Sequence, residues 1–194
     1  MEREGTPSPF PPFLAEVNRW LEGGVAFLTG FGIGGGVGLA FLNVVARFVF
    51  NVGLDWAFEV TKYLFIWSAF FGAVLCFREG CHIRVTLLLD LLPPKLRKWV
   101  QVVGDIVVLL YLGVVTYFSY IFIFDPDLGV KASGEINVDV GIPMWIPYLI
   151  LPIAGVLGGY FGTLHLIETL MTPPEKLGRL DREMEELLEE YGGE

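Results

Sequence analysis

Four stretches of this chain are apolar almost without interruption: Val25 to Phe48, Trp56 to Phe77, Trp99 to Phe124 and Pro143 to Ile167. A helix needs ~20 mostly apolar residues to cross the hydrocarbon core of a bilayer, and each stretch is long enough. None shows the strict alternation of a membrane β-strand. The pattern predicts an all-α integral membrane protein: a bundle of four transmembrane helices at about 25–48, 56–77, 99–124 and 143–167, within a membrane domain covering 25–170.

The flanks read differently. Residues 1–24 form a tail in which Thr6-Pro7-Ser8-Pro9-Phe10-Pro11-Pro12 cannot hold a helix, because proline lacks a backbone donor and clashes with the preceding turn. Phe13 to Glu22 then places Phe13, Leu14, Val17, Trp20 and Leu21 among Glu16, Asn18, Arg19 and Glu22, the period of an amphipathic helix lying on the membrane surface. Between the second and third crossings, Val85 to Leu92 is too short to span, and predicts an in-plane helix ended by Pro93 and restarted at Pro94. Residues 171–194 carry Leu177, Leu180, Met184, Leu187 and Tyr191 at helical spacing among carboxylates, predicting an acidic C-terminal amphipathic helix.

Charge adds orientation. The formal net charge is -9, and the segment from Pro173 onward supplies more than half of it, so the membrane body is only mildly acidic. Nothing in it resembles a nucleic-acid footprint. The connection after the second crossing holds Arg78, Arg84, Lys95, Arg97 and Lys98, whereas Asp125 to Ile142 holds Lys131 alone against Asp125, Asp127, Glu135 and Asp139. Because Lys and Arg in short loops stay on the cytoplasmic side, both termini are expected there.

Few residues offer chemistry. Arg47, Asp55, Glu59 and Lys62 bring two charges of each sign close together near the predicted outer surface, and Glu59 and Lys62 can pair along one helix. Either they form a network facing the bundle or a partner, or they snorkel to the headgroups. Asp105, two turns inside the third crossing, is expected to pair with a cation such as Arg78 or Arg84. Gly30, Gly34 and Gly38 share one helical face and Gly32 and Gly36 a neighbouring one. Both suit close helix packing, as do Gly155, Gly158, Gly159 and Gly162, whereas a dinucleotide fingerprint would need a strand before it. Cys76 and Cys81 lack a second pair for a zinc site. No phosphate loop, nucleophile elbow or metal-ligand cluster is present, and no internal repeat of the kind a complete transporter shows, so an enzyme is not expected. His82 and His165 leave a haem-binding redox membrane anchor as one alternative, and the glycine-rich first crossing leaves a small homo-oligomeric channel as another.

One ordered set of residues goes further: Arg47-Phe48-Val49-Phe50-Asn51, then Trp56, Glu59, Lys62, Tyr63 and Trp67, then Gly72, Arg78, Gly80, His82-Ile83 and Val85, and finally Gly141-Ile142-Pro143-Met144-Trp145-Ile146-Pro147-Tyr148 with Leu151-Pro152. It resembles the small permease subunit of tripartite ATP-independent periplasmic (TRAP) transporters, with Cys81 and Thr86 departing from the family pattern. The resemblance implies a passive scaffold in a bacterial or archaeal cytoplasmic membrane. That scaffold would brace a large permease subunit that carries the moving domain and the sodium sites, with a periplasmic binding protein delivering an organic acid anion. No cofactor, metal or catalytic residue is then expected on this chain. The candidate partner-interface or structural network is Arg47, Asp55, Trp56, Glu59, Lys62, Trp67, His82, Arg84 and Asp105.

Overall fold

The computed structural model describes residues 12–79 and 92–172, apart from the side chains of Arg78 and Glu79. The predicted in-plane helix, the C-terminal amphipathic helix, His82, Arg84 and Cys81 lie outside the described residues. Among the described residues, four helices have the length and apolarity to cross a membrane, over Pro12–Val49, Asp55–Phe77, Pro94–Phe124 and Trp145–Met171.

Helix α1 (Pro12–Val49) is a single 38-residue rod. Pro12 sits at its first position, where a missing N–H costs nothing. The amphipathic segment Phe13 to Glu22 is therefore continuous with the first crossing rather than a separate helix along the surface. Its inward face explains the continuity. Leu14, Asn18, Leu21, Val25, Thr29, Gly32 and Gly36 follow one helical period straight through Gly23-Gly24, so turning the segment away would strip contacts from the bundle. Asn18 is buried and accepts a 2.7 Å hydrogen bond from the Tyr160 hydroxyl across the bundle.

Beyond α1 the chain turns sharply. The N–H groups of Phe50 and Val52 both donate to the Ala46 carbonyl. Asn51 takes a φ of 51°, a left-handed conformation that asparagine tolerates better than most residues. The Asn43 side chain accepts from the Leu54 N–H at 3.2 Å and closes the turn. Helix α2 (Asp55–Glu79) then starts with Asp55 at the positive end of its dipole. Helix α3 (Pro94–Phe124) follows, and after it come two single-turn helices, α4 (Val130–Ser133) and α5 (Trp145–Tyr148). Helix α6 (Ile150–Met171) completes the last crossing.

Extensive packing runs α1 on α2, α2 on α6 and α6 on α3, so the bundle is an open row with α1 and α3 at its edges. Its core draws Val25 from α1, Phe71 and Val74 from α2, and Ile150, Ala154, Phe161 and Leu164 from α6. Glycines set the closeness of two seams. A Cβ on Gly32 would overlap Ser68 Oγ and lie 3.1 Å from the Leu64 carbonyl of α2, and one on Gly155 would overlap Thr116 Oγ1 of α3. A Cβ on Gly30, Gly34 or Gly38 would meet nothing within 4 Å, so among the described residues only one of the two glycine faces of α1 is packed. At the far end of α6, the Lys98 ammonium donates to the carbonyls of Leu170 (2.7 Å) and Thr172 (2.8 Å). This places a cation at the negative end of the helix dipole and satisfies carbonyls that the helix leaves open.

Candidate functional site

The polar chemistry concentrates at the end of the row that carries the α1–α2 turn and the segment 125–144. Glu59 and Lys62 form an ion pair one turn apart on α2. Glu59 is also reached from the other loop, because the Asn137 amide donates to Glu59 Oε2 at 3.1 Å and to the Tyr63 hydroxyl at 2.8 Å. The Asn137 side-chain oxygen accepts from the N–H groups of Asp139 and Val140, both at 3.0 Å. All four hydrogen-bonding positions of this one amide are thus in use. Half of them shape its own turn and half fasten that turn to α2.

The turn is a small hairpin. Asn137 N–H donates to the Ile142 carbonyl, Gly141 N–H to the Asn137 carbonyl and Met144 N–H to the Glu135 carbonyl. Ile136 and Pro143 form an antiparallel bridge. Gly141 closes it at φ 74°, where a side chain would be strained. Below it, the Trp67 indole donates to the Pro147 carbonyl at 3.1 Å and packs edge-on against Phe71. The approach to α6 is therefore held at two depths along α2, by Tyr63 with Glu59 and by Trp67.

On the other side of the hairpin the chain leaves α3 through Asp125, whose carboxylate accepts from the N–H groups of Leu128 and Asp127, both at 2.9 Å. These bonds, Leu128 first, hold the Asp125 carboxyl below its ordinary pKa. A Cβ on Gly129 would lie 2.5 Å from the Asp125 carbonyl, so this corner admits no side chain. Lys131 lies over both Phe124 (5.4 Å) and Trp145 (5.6 Å), and this cation–π contact ties α4 to α3 and α5.

Arg47 stands apart from the Glu59–Lys62 pair. Together with Asn43, Asn51, Asp55, Glu59 and Asp139 it lines a cleft of about 590 Å³ between the α1–α2 turn and the hairpin. Trp56 is about half exposed in the first turn of α2. Asp105 lies at the opposite end of the row, where the Thr169 hydroxyl of α6 is 3.5 Å from its carboxylate. The cations expected beside it, Arg78 and Arg84, belong to side chains outside the described set. The structure thus gathers Arg47, Asp55, Glu59 and Lys62 at one end, sets Trp67 deeper on α2, and leaves Asp105 remote. Sequence reading passed over Asn137 and gave Tyr63 no role of its own. The signal was the run Asn137-Val138-Asp139-Val140-Gly141, a turn whose leading asparagine can bond both its own backbone and a neighbour.

No group of three or more His, Cys, Asp or Glu side chains able to hold a metal occurs among the described residues. Long apolar helices fastened to one another by interfacial polar clips define a multi-pass helical membrane protein. The family model for the DctQ component of tripartite ATP-independent periplasmic transporters matches residues 36–172, and the chain belongs to that family. Over 132 residues it is 36% identical to a TRAP transporter small permease protein of Haemophilus influenzae, covering 68% of this chain and 78% of the relative. It is 29% identical over 189 residues to the C4-dicarboxylate TRAP transporter small permease protein DctQ of Vibrio cholerae, covering 88% and 78%. A third relative is the sialic acid TRAP transporter permease protein SiaT of Haemophilus influenzae, 26% identical over 145 residues. That match covers 75% of this chain but only 21% of SiaT. The chain is therefore a transporter membrane subunit and not an enzyme.

Proposed function

We propose that this chain is the static brace of a TRAP transporter that imports an organic acid anion. It holds the scaffold of a large permease subunit while that subunit moves the substrate, drawing on a sodium gradient and on a periplasmic binding protein that delivers the anion. The sodium sites then belong to the large subunit. The observation that carries this reading is the open row. Among the described residues the helices pack in the order α1, α2, α6, α3 with no extensive contact closing α3 back onto α1, so the layer surrounds no path of its own. A layer of this kind suits a wall against which something else moves.

The relatives support the substrate class, since the names of two of them specify C4-dicarboxylate and sialic acid, both carboxylated anions. SiaT supports the partner. A stretch similar to this chain makes up about a fifth of that longer permease, as expected if a brace and a large subunit work as one unit. Charge supports the orientation. Lys95, Arg97 and Lys98 stand at the start of α3 and Lys131 alone in the hairpin segment, a bias that favours both termini in the cytoplasm and the hairpin outside a cytoplasmic membrane.

The test is reconstitution in liposomes. Sodium-driven uptake of an organic acid anion is expected only when this chain, its cognate large subunit and the binding protein are all present. Uptake by the large subunit and binding protein without this chain, at the full rate, would refute the brace.

A further inference from the structure

Hydroxyl and indole groups inside a bilayer need partners, because hydrocarbon offers none. In this chain most are satisfied internally, and in two ways. Thr29, Thr61, Ser68, Thr116 and Thr163 each donate back to the carbonyl four residues earlier on their own helix. Trp67 and Tyr160 reach across to other parts of the chain instead.

Tyr111 does neither. It is 67% exposed on α3, and its hydroxyl has no hydrogen bond among the described residues. At 1.5 Å per residue it lies about 18 Å from Trp99 and about 20 Å from Phe124, near the middle of the crossing. A phenol cannot reach the headgroups from that depth, nor can it fold back onto its own backbone as threonine does. Tyr117 and Tyr120 are also exposed, but they lie within two turns of the end of α3, where tyrosine belongs to the interfacial belt.

The surroundings of Tyr111 are shaped for a neighbour. Gly104 lies two turns away on the same face with nothing within 4 Å of a Cβ position, and Val107, Val114 and Phe118 are more than half exposed around it. Small residues let a second helix backbone come close, and a donor at that depth then finds an acceptor.

We propose that this flank of α3, centred on Tyr111, is where a transmembrane helix of the large permease subunit docks, accepting a hydrogen bond from the Tyr111 hydroxyl. Complementarity selects the occupant: lipid chains cover apolar surface but offer the phenol no acceptor, whereas a protein helix supplies both. The placement rests on the brace reading above.

The test uses the two subunits coexpressed in membranes, with a photoreactive residue introduced as Tyr111→p-benzoylphenylalanine. Illumination is expected to yield an adduct with the large subunit. The subtler variant Tyr111→Phe, which keeps the ring and the fold, is expected to weaken the complex in detergent about threefold, the usual scale of one interhelical hydrogen bond in a membrane. An adduct formed only with lipid or with a second copy of this chain overturns the placement, and so does an unchanged complex in Tyr111→Phe. If the unmodified subunits co-purify and only the Tyr111 tests fail, the brace reading stands. If they never co-purify, both fall.

Discussion

The α1–α2 seam and the outer flank of α3 are written in much the same residues, apolar side chains with spaced glycines and an occasional hydroxyl, yet the chain completes one and leaves the other open. At the seam, Gly32 and Gly36 admit Ser68, Leu64 and Phe65, and the hydroxyls close on their own carbonyls. On the flank, a Cβ on Gly104 would meet nothing within 4 Å and Tyr111 is 67% exposed, without a hydrogen bond among the described residues. A membrane subunit of a larger transporter needs both kinds of surface: one that makes it rigid alone and one that makes it useful in company. Substitutions in the first should damage the isolated chain, and substitutions on open faces should be felt only after assembly.

The largest effect is expected at the seam. A side chain at position 32 meets a backbone carbonyl as well as the serine hydroxyl, so α1 and α2 must separate. Gly32→Leu should destabilise the isolated subunit by about 3 kcal/mol, the upper end of the range for overpacked cores, measurable as a lowered melting midpoint in detergent. An unaltered midpoint would mean that the seam is looser than its geometry implies.

A smaller loss is expected at the hairpin. Asn137→Ala removes both bonds to α2 and both turn bonds, and should cost about 1–3 kcal/mol of local stability. Hydrogen exchange should speed up in residues 135–144 while α3 keeps its protection. If exchange there stays slow, the hairpin is held by its backbone bridge alone.

Acid should act on the neighbouring corner. The Asp125 carboxyl has a lower pKa folded than unfolded, so its contribution is complete above about pH 3.8, its ordinary value, and is lost as pH falls through the lower folded value. The 125–129 turn should therefore stay ordered at mildly acidic pH and loosen only under strongly acidic conditions, as read from amide shifts. Asp125→Asn should loosen it already at neutral pH.

The smallest effect sharpens the comparison most. Gly34→Leu, only two residues from Gly32 but on the open face of α1, should leave the isolated subunit within about 0.5 kcal/mol of the parent. A drop as large as that of Gly32→Leu would show that the two faces are not distinct after all.

Much of this molecule could be read before it was folded. The four crossings emerged from length and apolarity alone, because a bilayer imposes one dimension on every helix that spans it. The Glu59–Lys62 pair could be anticipated, since both partners lie on one helix three residues apart. Asn137 could not, because its bonds to Glu59 and Tyr63 join residues more than 70 positions apart. The N-terminal segment shows the same limit. Its amphipathic pattern told of an apolar face without telling whether the segment would run on into the first crossing, and the single helix with its Asn18–Tyr160 contact shows that it does.

By itself, then, the sequence determined the class of the protein, the number of crossings and the family, all of which follow from hydropathy and from motifs local to the chain. Which glycine face of α1 would close, which polar group would clip the hairpin and which hydroxyl would find no partner among the described residues were decided only by tertiary structure. Each depends on what a second helix places opposite, and periodicity along one helix does not contain that information.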